Sequence, residues 1–180
     1  MVWTSAAQIV AAAIYSAGLI LTLSISFSYN LWPPKAGRSK AIWKRLDHSA
    51  IFILIAATYT PFLQRGLADP VIMSLLVGVW VIAALGIALK VFWPGRYDRL
   101  AILLYLAMGW SGILVARPLF PLLPLTTCIL IVIGGVIYSA GVLFHIWERL
   151  RFQNAIWHGF VVAAAAVHYA AVLTCFSLTG

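Results

Sequence analysis

The sequence predicts an all-α fold: a polytopic transmembrane helix bundle of six spans, with both termini extracytoplasmic. Three observations carry this reading. The chain has 180 residues, 64% of them hydrophobic, and a mean hydropathy of +1.03. Only 9% are Asp, Glu, Lys or Arg, against roughly 25% in soluble domains. The charges are separated by uncharged runs of the length, about 20 residues, that a helix needs to cross a hydrocarbon core. This composition excludes a soluble enzyme, which would lack the polar surface to face water, and its hydrophobicity excludes intrinsic disorder. The runs are too long and too continuous for the alternating segments of about 10 residues that build a membrane β-barrel.

The spans follow in order. No charge precedes Lys35, and the first span covers about 5–32, closed by Pro33-Pro34. Residues 48–64 are free of Asp, Glu, Lys and Arg and give a span at 47–65, after which Gly66 and Asp69-Pro70 turn the chain. Residues 70–89 give 70–93, ended by Pro94-Gly95, and residues 100–116 give 98–117, ended by Arg117-Pro118. The last two uncharged stretches, 118–147 and 152–180, give spans at 121–147 and 154–177. Residues 33–46 form the longest loop. The whole chain, 1–180, is one transmembrane domain without a soluble module, a linker or an internal repeat, so an inverted-repeat transporter finds no support. Met1-Val2-Trp3-Thr4 offers no basic n-region, so no cleaved signal peptide is expected. Cys128 and Cys175 both lie in apolar runs and do not suggest a disulfide framework.

The formal net charge of +8 is a topology signal. Lys35, Arg38, Lys40, Lys44, Arg45, Lys90, Arg96, Arg99, Arg149 and Arg151 fall in the first, third and fifth connections, and only Arg65 and Arg117 fall on the opposite side. The positive-inside rule places the first group in the cytoplasm. The chain is therefore expected in the cell membrane (the inner membrane in a bacterium that has two), with membrane lipids as partners. No nucleic-acid partner is expected, because no basic surface of useful size remains.

Polar groups inside a span are costly and tend to face the bundle interior. Gln8, Tyr15, Thr22, Ser26 and Asn30 fall within a narrow arc of the first helix. Ser26 and Asn30 form an i, i+4 pair at its cytoplasmic end. Asp47 opens the second helix at the same depth, where the helix dipole favours an acid. Asn154 and His158 share a face at the cytoplasmic start of the sixth span, and His145 ends the fifth. His168 lies some 15 Å further along its helix, in another layer. Topology alone thus gathers Ser26, Asn30, Asp47, Asn154 and His158. Gly134, Gly135, Ser139 and Gly141, and likewise Gly109 and Gly112, read as small-residue helix contacts. Trp32, Trp43, Trp93 and Trp147 read as an interfacial aromatic belt.

Two stretches add a resemblance. Leu46-Asp47-His48-Ser49-Ala50-Ile51, continuing to Thr58-Tyr59-Thr60-Pro61-Phe62, resembles the hemolysin III family. So do Gly141-Val142-Leu143-Phe144 and Ala155-Ile156-Trp157-His158-Gly159-Phe160-Val161. That family stands with the progestin and adipoQ receptors and, more distantly, the alkaline ceramidases. The resemblance implies seven helices with the carboxyl terminus outside, of which the first is absent here. It also implies a Ser-x3-His element, an Asp on the next helix and a His-x3-His element, with three histidines binding zinc and the Asp orienting a zinc-bound water. Ser26 and Asp47 match the positions with catalytic roles, and His158 matches one metal ligand. Asn30 and Asn154 stand at the other two ligand positions. Zinc prefers imidazole and thiolate to a neutral carboxamide, so zinc is expected to be weakly bound or absent. A rewired site using His48 or His145 with His158 is the other metal reading.

Three functions remain open at this stage. One is a hemolysin III-like membrane protein with a polar cytoplasmic-side cavity and a degenerate zinc site, acting in lipid sensing or membrane homeostasis. Another is a zinc-dependent lipid amide hydrolase with Asp47 at the metal-activated water. The third is a pore-forming or cytolytic protein, to which spans without a ring of charges give little physical support. The sequence does not specify the oligomeric state.

The orientation is directly testable. A cysteine introduced within residues 35–45 is expected to be protected from an impermeant thiol reagent in intact cells. Labelling there, together with protection at residue 180, would reverse the assignment.

Overall fold

The computed structural model describes residues 6–33, 37–147 and 149–177; Met1, Val2, Trp3, Thr4, Pro34 and Lys35, used in reading the sequence, lie outside them. Among the described residues seven α-helices form: α1 Ala6–Leu31, α2 Arg38–Leu63, α3 Pro70–Phe92, α4 Asp98–Trp110, α5 Ala116–Leu119, α6 Leu125–Ile146 and α7 Gln153–Ser177. Short 3-10 turns follow α2 and flank α5. No strand occurs among the described residues. Counting α4 to Leu122 as one unit, six helical stretches are long and apolar enough to span a membrane.

Local chemistry sets the boundaries. Asp69 caps α3, its carboxylate accepting from the Val71 and Ile72 amides at 2.8 and 3.3 Å, and Pro70 takes the first helical position, where a missing N–H costs nothing. Gly95 turns the chain between α3 and α4 at φ 77°, a conformation that glycine enters without a Cβ clash.

Two boundaries depart from the sequence reading. The expected loop 33–46 is largely helix: α2 begins at Arg38, so its cationic residues form the first turns of a long helix. Charge limits which residues sit in hydrocarbon, not which are helical, and Lys and Arg are good helix formers. Asp47 therefore does not open α2. It lies about 13 Å inside the helix, beyond the turn over which a helix dipole acts, and the dipole does not explain it. The second departure is in the fourth span, which does not end at Arg117. It breaks near Trp110 and continues through a 3-10 stretch, α5 and a further 3-10 turn to Leu122.

α2 is the central post. Of its most apolar window 61% is buried, whereas the other spans bury 17–33% and turn the rest toward lipid. Phe52, Ala56, Val79, Ala83, Ala101 and Met108 form one buried cluster in the half of the bundle where α1 ends and α2 begins. Tyr15, Leu63, Ile72, Val115, Ala171 and Cys175 belong to another in the opposite half. Gly134 lies against the His168 ring and Gly141 against Phe160, with no room for a Cβ in either place, so these two of the expected small-residue contacts bring α6 onto α7. Gly109 faces open space.

The break in the fourth span is held by Tyr59 of α2. Its hydroxyl lies 2.8 Å from both the Met108 and Gly109 carbonyls, with one proton to share between them, and accepts from the Gly112 amide at 2.8 Å. Ser111 Oγ donates to the Met108 carbonyl at 2.7 Å and lies 3.3 Å from the phenol. Irregular backbone at membrane depth persists only where protein satisfies the freed groups, and Tyr59 with Ser111 does so here. Where α3 leads into α4, Lys90 of α3, whose side chain is 4% exposed, forms an ion pair with Asp98 of α4, closing that hairpin.

Tyr59→Phe is expected to destabilise the chain by about 1–3 kcal/mol, the cost of leaving buried backbone groups unpaired. Thermal unfolding in detergent checks the magnitude. Faster amide exchange confined to residues 108–112 checks the place.

Candidate functional site

The end of α1, the first turns of α2 and the start of α7 meet around the residues that depth alone had grouped. On α1, Asn30 follows Ser26 by one turn, and its Nδ2 lies 2.8 Å from the Ser26 carbonyl. A carbonyl oxygen only accepts, so the group facing it has to be the amide nitrogen, which fixes which way Asn30 points. The same Nδ2 lies 3.1 Å from His158 Nε2 on α7. Asn30 Oδ1 is thereby turned to Asn154, whose Nδ2 donates to it at 2.7 Å. The other edge of the imidazole, Nδ1, meets Ser26 Oγ at 3.4 Å, and the Asp47 carboxylate lies near both Ser26 and His158.

One proton arrangement satisfies every contact. Asn154 donates to Asn30, and Asn30 donates to Nε2 of a neutral His158. His158 donates from Nδ1 to Ser26, whose own proton is left for the side where Asp47 lies. The chain runs from an exposed rim (Asn30, Asn154) to half-buried Ser26 and His158, with Asp47, 8% exposed, beside them. It contains the residue types of a Ser-His-Asp hydrolase but not its wiring. In an activated nucleophile the acid orients the imidazole and the imidazole takes the serine proton. Here no hydrogen bond joins the acid to the imidazole, and the second imidazole nitrogen is engaged by an amide.

The other polar residues fall outside this chain. His145 packs on Trp157 with ring centroids 4.8 Å apart, and its Nδ1 is buried without a partner. At His48 the carbonyl accepts from Tyr105 Oη at 2.7 Å, on the α4 side of α2 and away from α7. His168 Nε2 meets the Ile131 carbonyl at 3.2 Å in a separate layer. Of the α1 stripe, Thr22 bonds the Gly18 and Ala50 carbonyls at 2.8 and 3.1 Å and so ties α1 to α2. The buried Tyr15 hydroxyl has no partner.

Comparison with known proteins follows this geometry. The model of the family described as "Haemolysin-III related" matches residues 1–169. The "Hemolysin-3 homolog" of Bacillus subtilis (strain 168) is 40% identical over 155 residues, which cover 86% of this chain and 71% of that protein. "Hemolysin-3" of Bacillus cereus is 38% identical over 170 residues, covering 94% and 76%. The chain belongs to the haemolysin-III related family. The human "Monocyte to macrophage differentiation factor" is 30% identical over 163 residues, covering 88% of this chain and 67% of its own length. No solved structure matches the chain.

The haemolysin-III resemblance implies zinc, and the residues present do not fit it. The donors that converge are one imidazole, two carboxamides and a hydroxyl, with the carboxylate behind the hydroxyl. Among the described residues no group of three or more His, Cys, Asp or Glu gathers at one point. The imidazole nitrogen next to Asn30 faces an N–H donor, which leaves that lone pair engaged. Among the described residues neither His48 nor His145 hydrogen-bonds His158.

A lateral groove of about 830 Å³ lies away from this cluster, between α4 and α6, lined by Leu103, Leu106, Trp110, Val136 and Leu143 among others. Sequence reading missed Tyr59 as an anchor, although a Tyr flanked by two Thr inside a span was a visible signal. It also read Lys40 only as a loop charge.

Asn30→Ala removes both donor contacts and the acceptor for Asn154. A loss of about 1–3 kcal/mol is expected, read as a lower thermal midpoint in detergent. Asn30→Asp should cost more than Asn30→Ala, since a carboxylate offers no N–H to the Ser26 carbonyl and sets an oxygen against the His158 lone pair.

Proposed function

We propose that this haemolysin-III related protein acts in lipid sensing or membrane homeostasis, in the cell membrane, and does so without metal-dependent hydrolysis. The observation that carries the reading is the Asn30 amide directed at His158 Nε2, at 3.1 Å. A metal would need that lone pair, and the amide is held in place from its other side by the Ser26 carbonyl. The site in this reading is a degenerate zinc site in which hydrogen bonds join α1 and α7 where a metal would have joined them.

A hydrogen-bonded joint differs from a metal joint in strength and in competitors. Each amide contact contributes about 0.5–1.5 kcal/mol net, and lipid headgroups at the interface carry acceptors and donors of the same kind. Asn30 and Asn154 are exposed at the rim, so a headgroup competes for them while Asp47 stays covered. Headgroup composition then sets how tightly α1 and α7 are held at the cytoplasmic leaflet. The excess of Lys and Arg at that end supports the cytoplasmic assignment and an environment rich in anionic lipid.

Metal analysis tests the metal-free part. The native protein is expected to purify nearly free of zinc. Asn30→His with Asn154→His together should bind about one zinc, with affinity falling at low pH as imidazoles protonate, and each single change should bind little. Stoichiometric zinc in the native protein overturns the reading. In lipid nanodiscs the native thermal midpoint should move with headgroup composition, and Asn154→Leu should reduce that movement; a midpoint indifferent to headgroups removes the sensing role.

A further inference from the structure

We propose that the carbonyl end of α1 is a binding site for a primary ammonium ion, and that the chain's own Lys40 occupies it. Helix α1 ends at Leu31, and the last carbonyls of any helix lack intrahelical donors and carry the negative end of its dipole. The Trp32 amide turns back to the Ser28 carbonyl at 3.0 Å. The Tyr29 and Trp32 carbonyls both accept from Lys40 Nζ, the latter at 3.0 Å. The same ammonium lies 4.1 Å from the centroid of the Tyr29 ring, within the range where an aromatic face attracts a cation. Trp32 stacks at a tilt on Trp43 with centroids 5.6 Å apart, which pins the Trp32 backbone to α2. Asp47, seven residues after Lys40, lies on the same face of α2.

The parts select for an alkylammonium. Two carbonyl oxygens and a π face take up N–H donors and diffuse positive charge together, and an –NH₃⁺ group supplies both. A quaternary ammonium has no N–H to give, and two carbonyls are too few oxygens for a bare alkali ion. Lys44, one turn further along α2 and exposed, is an internal control with the same chemistry. A lysine merely reaching for the membrane surface would need none of these contacts. Occupation by Lys40 makes this a self-filled site at the mouth of the α1–α2–α7 cluster, open to an external amine only when Lys40 leaves.

Two measurements on the full chain in detergent test it. In the native protein, a small amine-reactive reagent should modify Lys40 at least about tenfold more slowly than Lys44, given charge-assisted hydrogen bonds plus a cation–π contact; equal rates overturn the proposal. Lys40→Ala should lower the thermal midpoint, and methylammonium chloride should restore part of it. Sodium and tetramethylammonium at equal ionic strength should not, and Tyr29→Leu in the same background should abolish the rescue. Equal responses to all three cations would reduce the effect to ionic screening and overturn the site. Should Lys40→Ala fail to fold, the labelling rates in the native chain decide alone.

Discussion

Hydrocarbon offers no hydrogen-bond partner, and the rest of this structure depends on that. Only helices or a closed barrel satisfy every backbone group there, and the long continuous runs of this chain give helices. Several of the polar groups that the helices leave over mark junctions. Thr22 ties α1 to α2, Tyr59 closes the break in the fourth span, Lys90 meets Asp98, and Asn30 joins α1 to α7. Two buried apolar clusters fill much of the space between them.

At one such junction Asn154 donates to Asn30, and Asn30 donates to His158 and to the Ser26 carbonyl. A metal joint would keep an open coordination position for a reacting water, whereas here the Asn30 amide occupies the imidazole nitrogen that a metal would take. Lys40 extends the same economy at the surface, where its ammonium answers the open carbonyls of α1.

Much of the site was legible because depth is nearly a one-dimensional coordinate in a membrane. Once six spans and their alternation were known, Ser26, Asn30, Asp47, Asn154 and His158 had to lie at one level, and the i, i+4 pairs on α1 and α7 faced inward. Wiring was not legible. Which end of the Asn30 amide meets Ser26, and which imidazole nitrogen of His158 it reaches, depends on distances of a few tenths of an ångström that no spacing rule contains. His48 and Asp47 are neighbours in sequence, yet the backbone carbonyl of His48 serves Tyr105 of α4 while Asp47 lies beside Ser26 of α1 and His158 of α7.

By itself the sequence determined the class of fold, the number of spans and the membrane level of the polar residues. All three follow from transfer energies summed over about 20 residues, where single misreadings average out. Only the tertiary structure decided where α2 begins, that the fourth span is broken, and which polar groups bond. Residues 38–46 are too charged for hydrocarbon but form helix readily, so hydropathy marked the edge of the membrane and missed the start of α2. The break near Trp110 exists because Tyr59, some fifty residues away, supplies the hydrogen bonds that make it affordable. Such a partner is a property of packing, which local sequence does not encode.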